Sequence, residues 1–103
     1  FYHQGKISLE KIVEKMAHNV AVCFQIDKRG FIREGYWADL VLVDLNQKSE
    51  VNRNNVLSKC GWSPFEGQTF HSQISHTFVN GNLVYENGKF NESVKGKRLT
   101  FDR

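Results

Sequence analysis

Leu9, Ile12, Val13, Met16, Ala17 and Val20 recur at helical spacing, while Glu10, Lys11, Glu14 and Lys15 fall on the opposite face. That periodicity predicts one amphipathic helix near the N-terminus. Ser8 stands where an N-cap is wanted, three residues after Gly5, and its hydroxyl can accept from first-turn amides. Asn19 tolerates the left-handed conformation of a helix end, so the helix is expected to stop there. From Ala21 to Ile26 the pattern fits a short second helix or a strand equally well. Gly30 and Gly35 bracket a short strand or turn around Ile32. Ala38 to Leu45 then reads as a strand with Leu40, Leu42 and Asp44 on one face and Asp39, Val41, Val43 and Leu45 on the other. Both faces are apolar, which predicts an interior position in a sheet or sandwich.

Asn46 to Asn55 is polar and loop-like, Val56 to Cys60 suggests a single helical turn, and Gly61 to Gly67 is a loop punctuated by Gly and Pro and anchored by two aromatics. The end of the chain carries the clearest signal. Asn80-Gly81 and Asn87-Gly88 both suit type I′ turns, whose two central residues need positive φ. The first turn predicts pairs Val79–Asn82, Phe78–Leu83, Thr77–Val84 and His76–Tyr85. The second predicts Glu86–Lys89 and Tyr85–Phe90. The result is a three-stranded meander, followed from Asn91 by a polar tail that is expected to fray unless Leu99 and Phe101 pin it to an edge. The fold class expected is mostly β with one N-terminal amphipathic helix.

The 103 residues allow one domain at most, and the eight Phe, two Trp and three Tyr are a heavy aromatic load for that length. Much of that apolar surface is expected to lie against a partner or a further domain. The formal net charge is +3, and its one local concentration, Lys95, Lys97 and Arg98, reads as a solvated tail rather than a nucleic-acid face. The apolar runs Val20 to Phe24 and Leu40 to Val43 are too short to span a bilayer, and no signal peptide is recognisable. Phe1 in place of an initiating Met suggests a piece of a longer protein. Cys23 and Cys60, with no CxxC spacing, read as free thiols of a reducing, cytoplasmic compartment.

Chemistry is sparse. His3, His18, His71 and His76 show no HxH, HxxxH or HExxH spacing, so no metal site is expected within the chain. Asp39 and Asp44 lie on opposite faces of one strand and cannot share a substrate. Asp39 is expected to accept from amides of the glycine turn before it, and Asp44 to cap the far end of the strand. Gly30 to Gly35 leads into a strand and so lacks the helix N-terminus of a phosphate loop. Trp62, Pro64, Phe65 and Glu66 form one unusual cluster, either a binding loop for a ring or peptide or, preferably, a plug against a neighbouring domain. No residue is assigned a catalytic, cofactor-binding or metal-ligating role. The residues that carry structural signal are Gly30, Gly35, Ala38, Asp39, Trp62, Pro64, Phe65, Glu66, Asn80 and Gly81.

The order of these segments carries a resemblance. A helix Gly5-Lys6-Ile7-Ser8-Leu9-Glu10 runs into His18-Asn19-Val20-Ala21. Gly30-x-Ile32-x-x-Gly35-x-x-Ala38-Asp39-Leu40-Val41-Leu42-Val43-Asp44 follows, then Trp62-Ser63-Pro64-Phe65-Glu66-Gly67, then His76-Thr77-Phe78-Val79-Asn80-Gly81. Over nearly the whole chain this resembles the C-terminal end of the dihydroorotases, in the amidohydrolase superfamily. The Ala38-Asp39-Leu40-Val41 strand marks the superfamily, and the Trp62 to Gly67 loop narrows the likeness to dihydroorotases. Val20 departs from the family, which usually has Pro after Asn. The resemblance implies a (β/α)8 barrel with a composite β-sandwich, residues 1–22 being the last barrel helix and its exit and residues 23–103 the C-terminal part of the sandwich. It implies zinc in the parent enzyme, held by upstream residues and not by this chain, and the N-terminal barrel portion and a further subunit as partners, with neither nucleic acid nor membrane. The implied reaction is reversible cyclisation of N-carbamoyl-aspartate to dihydroorotate in pyrimidine biosynthesis, with metal-bound hydroxide attacking the ring amide. The end of another amidohydrolase, of hydantoinase or allantoinase type, and a free-standing β binding module are the alternatives.

Overall fold

The computed structural model describes residues 1–103. Its helical part is one continuous rod of three pieces: α1, Leu9–Val13; a π-helical stretch, Glu14–His18; and α2, Asn19–Cys23. Ser8 caps it as expected, its hydroxyl accepting from the Lys11 amide at 3.2 Å. Asn19 does not end it. At φ −66° and ψ −34° Asn19 is an ordinary helical residue, and Val20, unlike a proline, leaves no ring in the way of a continuing helix. The rod ends at Cys23, four residues later, and is closed in a Schellman arrangement. The Ile26 amide donates to the Ala21 carbonyl at 2.9 Å and the Gln25 amide to Val22 at 3.2 Å, with Gln25 in the left-handed region at φ +55°.

The apolar stripe of the rod is not its packed face. Met16 is 76% exposed and Val13 47%. What packs instead is the neighbouring face, through Ala17, His18 and Ala21. The π-helical turn widens the rod there, His18 stacks flat on Phe31 with ring centroids 4.2 Å apart, and Gly30 lies directly on the helix. A Cβ placed on Gly30 would sit 2.4 Å from the Ala21 Cβ and 2.9 Å from the Ala17 carbonyl oxygen, and the residue is at φ +85°. Gly30 is therefore required twice over, by contact and by conformation. The segment around Ile32 is a turn, with the Tyr36 amide donating to the Arg33 carbonyl.

The main sheet has four antiparallel strands in the order β1 (Leu40–Asp44), β4 (Gln73–Val79), β5 (Asn82–Glu86), β6 (Lys89–Phe90). Within this chain β1 is an edge strand, not an interior one, and Val41, Leu42 and Val43 are each about half exposed. Its β4 neighbour covers one edge, and the 103 residues supply nothing for its other edge. The meander forms on both predicted turns, with positive φ at Asn80, Gly81, Asn87 and Gly88. Its register holds at Val79–Asn82, Phe78–Leu83, Tyr85–Phe90 and Glu86–Lys89 but slips between them. A bulge makes Val84 an extra residue, so Thr77 meets Tyr85 and His76 meets Glu86 rather than Tyr85. The Val84 carbonyl accepts from the Asn91 amide at 2.8 Å. A second bulge on β4 leaves Ser75 unpaired against β1, and its hydroxyl donates to the Leu42 carbonyl.

The polar segment read as a loop contains β2, Ser49–Glu50, paired with β3, Thr69–Phe70. The helical turn expected over Val56 to Cys60 lies earlier, at Arg53–Asn55, where Asn52 and Asn55 cap it reciprocally. The tail is pinned rather than frayed, though not to the sheet. Phe101 bridges Ile26, the Asp27 amide donates to the Thr100 carbonyl at 2.8 Å, and the Asp102 amide donates to Gln25 at 2.9 Å.

Gly30→Ala is expected to lower stability by roughly 3 kcal/mol, since the added methyl must displace helix backbone as well as adopt positive φ. Gly35→Ala, at φ +83° with open space around its Cβ position, is expected to cost only about 1 kcal/mol. Thermal melting of the two variants side by side checks the difference.

Candidate functional site

Arg29 follows the left-handed Lys28 (φ +55°) and precedes Gly30, and this sharp reversal turns its side chain inward. It is 8% exposed, one of two residues below a tenth, the other being Ala21 at 5%. Its guanidinium pairs with Asp39 Oδ2 and lies 5.5 Å from the Trp37 ring centroid. Asp39 Oδ1 accepts from the Asn80 amide at 2.8 Å. One residue earlier the Ala38 carbonyl accepts from the Gly81 amide at 3.0 Å. Ala38, Asp39, Asn80 and Gly81 are thus brought together at one end of the sheet. Asp39 does not accept from the glycine turn as expected; it ties Arg29 to the hairpin 41 residues away in sequence. The Tyr36 and Trp37 amides of the preceding segment are already spent on the Arg33 and Lys28 carbonyls, and the donors that Asp39 meets are the Arg29 side chain and the hairpin-turn amide of Asn80. Asp44 Oδ1 accepts from the Asn46 amide at 2.9 Å, capping the strand end.

Trp62, Pro64, Phe65 and Glu66 form a separate cluster. The loop is closed at its base by the Gly67 amide donating to Val51 at 2.8 Å and by the Glu66 amide donating to Ser63. Glu66 pairs with Arg53 at 3.5 Å, and Phe65 meets Phe70 edge-on with centroids 6.0 Å apart. Trp62 and Phe65 remain 60% and 52% exposed. Gly35 belongs to neither group. Cys23 and Cys60 are free and exposed, and the Ser58 hydroxyl beside Cys60 holds that thiol below its usual range.

The histidines do not converge. His3 and His71 stand edge to face at 5.8 Å, with His3 Nε2 2.9 Å from the Ser72 hydroxyl. His18 is stacked on Phe31, and His76 faces Glu86 at 3.6 Å. No three His, Cys, Asp or Glu side chains group closely enough to hold a metal ion. The residues of this chain therefore do not fit a zinc centre, and no metal-dependent step is assigned to them. No helix is long and apolar enough to cross a membrane.

Asp39→Asn keeps an oxygen for the Asn80 amide but leaves Arg29 buried without its counter-charge. With the Asp39 side chain 35% exposed, the loss is expected at about 1–3 kcal/mol rather than the larger figure for a fully buried pair. A double-mutant cycle with Arg29→Gln checks it, and a coupling of at least about 1 kcal/mol is expected.

Residues 2–84 match the amidohydrolase family. An allantoinase of Desulfitobacterium hafniense (strain Y51) is 36% identical over 98 residues, which cover 95% of this chain and 22% of that protein. A dihydroorotase of Pyrococcus furiosus is 32% identical over 97 residues, covering 94% and 23% respectively. Among solved structures, the L-hydantoinase of Arthrobacter aurescens superposes with a TM-score of 0.85 at 30% identity, over 95% of this chain and 22% of its own. The chain thus spans less than a quarter of the length of these relatives, each of which is named for a cyclic amidase activity. The Gly30 to Asp44 segment, the Trp62 to Gly67 loop and the Asn80-Gly81 hairpin all fall within the matched residues, and the chain belongs to the amidohydrolase family.

Proposed function

We propose that this chain is the C-terminal part of a zinc-dependent cyclic amide hydrolase, in which residues 1–22 serve as the last barrel helix and its exit and residues 23–103 complete a β-sandwich. Its role there is structural. The zinc and the catalytic groups belong to the barrel portion of the longer polypeptide, and a second copy of that polypeptide is a further partner.

The observation that carries this reading is a mismatch between surface and mass. The chain of 11.9 kDa exposes 8477 Å², whereas a self-contained protein of that mass exposes about 5,900 Å². Its radius of gyration is 15.7 Å against about 13 Å for a compact domain of this length. The excess of roughly 2,500 Å² has the size of a permanent interface. Part of it is concave and largely apolar: a groove of about 750 Å³ runs along Leu57, Ile74, Val79, Val84, Tyr85 and Phe90. A free-standing binding module would not leave so much of itself uncovered.

Within the family, the Trp62-Ser63-Pro64-Phe65-Glu66-Gly67 loop supports dihydroorotase, acting between N-carbamoyl-aspartate and dihydroorotate. The 36% identity to an allantoinase and the 0.85 TM-score to an L-hydantoinase support the second reading, a hydrolase of a related cyclic amide.

Expressed alone, the 103 residues are expected to hydrolyse no dihydroorotate, to retain no equimolar zinc after dialysis, and to self-associate and bind hydrophobic dye. The longer protein that carries them is expected to turn over dihydroorotate in preference to allantoin and hydantoin. Preference for either of the latter selects the second reading. Turnover by the 103 residues alone, or a monomeric and dye-silent chain at high concentration, overturns the structural role.

A further inference from the structure

The segment leaving the helix and the C-terminal tail meet in a basic pocket. The Ile26–Phe101 bridge lays the tail antiparallel to the segment leaving the helix. Lys28 and Arg29 thereby share the wall of one cavity of about 530 Å³ with Lys97 and Arg98, close to 70 positions away in sequence. The walls are fixed by backbone. The Trp37 amide donates to the Lys28 carbonyl at 3.0 Å, and the Asp27 amide donates to the Thr100 carbonyl at 2.8 Å.

The charges in this cavity are unbalanced. Arg29 is neutralised by Asp39. Asp27 is the one carboxylate lining the cavity, and its Oδ2 accepts from the Thr100 hydroxyl at 3.2 Å. None of the four ion pairs of the chain involves Lys28, Lys97 or Arg98. The Lys97 ammonium is held over the Trp37 ring, 4.4 Å from its centroid, rather than extended into solvent. Holding three like charges around one concavity raises the potential inside it, and an entering anion lowers that cost. Two point-charge ammonium groups and one forked guanidinium match the several oxygens of a phosphate. Cavities of this size hold small molecules, and the dispersal of the remaining lysines gives no stripe along which a nucleic-acid strand could run.

We propose that this pocket binds a multivalent oxyanion, a phosphate or polyphosphate group, through Lys28, Lys97 and Arg98. The inference rests on the pocket and not on the proposed hydrolase role.

The test is calorimetric titration of the intact longer protein at physiological salt with sodium pyrophosphate, inorganic phosphate and a single-stranded oligonucleotide, with tryptophan fluorescence read in parallel. Saturable binding of pyrophosphate, tighter than that of orthophosphate, is expected, with a change in fluorescence. Lys28→Gln and Lys97→Gln are each expected to weaken it roughly tenfold, the size of one charge-assisted hydrogen bond. The paired control Lys6→Gln/Lys59→Gln is expected to leave it unchanged. Should Lys28→Gln disturb the left-handed turn, seen as a lowered melting temperature, Lys97→Gln/Arg98→Gln in the tail carries the test. No heat up to about 10 mM pyrophosphate, an equal loss in the control pair, or tighter binding of the oligonucleotide than of pyrophosphate overturns the proposal.

Discussion

A guanidinium taken out of water has to be paired, and the pairing of Arg29 with Asp39 is the interaction on which the rest of this chain is hung. Arg29 sits between Lys28, whose φ is +55°, and Gly30, which rests on Ala17 and Ala21 of the helix. Asp39 stands at the entrance of β1, and its second oxygen takes the amide of the hairpin turn at Asn80. The helix, the glycine turn, the edge strand and the meander are therefore coupled through one carboxylate. Neighbouring contacts strengthen the same joint: Trp37 lies beside the guanidinium, and the Gly81 amide closes on Ala38.

That joint matters because there is little else. With only Ala21 and Arg29 deeply buried, hydrophobic burial within these residues is too small to offset the conformational entropy of ordering them. The sheet is open on both faces of β1 and at its free edge. An edge strand whose Leu40 to Val43 run carries no charge is a site of association unless something covers it. The proposed role offers a physical resolution, in which the remaining parts of a longer polypeptide would lie against these surfaces. It also explains the sequence, since aromatic and branched residues spread over every face are uneconomical in an isolated domain of this length and ordinary at an interface.

The parts of this fold that were readable in the sequence are those fixed locally. Ser8 capping the helix, the two Asn-Gly turns and the β1 strand each depend on a few adjacent residues with one favoured conformation. The misreadings are non-local. Nothing near Val84 or Ser75 announces a bulge, so a regular alternation placed His76 opposite Tyr85 when it faces Glu86. Asn19 permits a helix end without requiring one, and the Schellman closure fell on Gln25, a residue with no preference for it. The Ser49–Glu50 and Thr69–Phe70 ribbon is too short to show periodicity. At the site, Ala38, Asp39, Asn80 and Gly81 were singled out, but Arg29 was not, because its role comes from a backbone reversal that brings it back toward a carboxylate ten residues on.

The central claim is that these residues are held in their fold by surfaces outside the 103. Amide hydrogen exchange compares the two situations directly. The account predicts that β1 and β4 amides exchange rapidly in the isolated chain, and that the same amides become protected, by about a hundredfold or more, in the longer protein. Equal protection in both, with a cooperative melt of the isolated chain as a monomer, would contradict it.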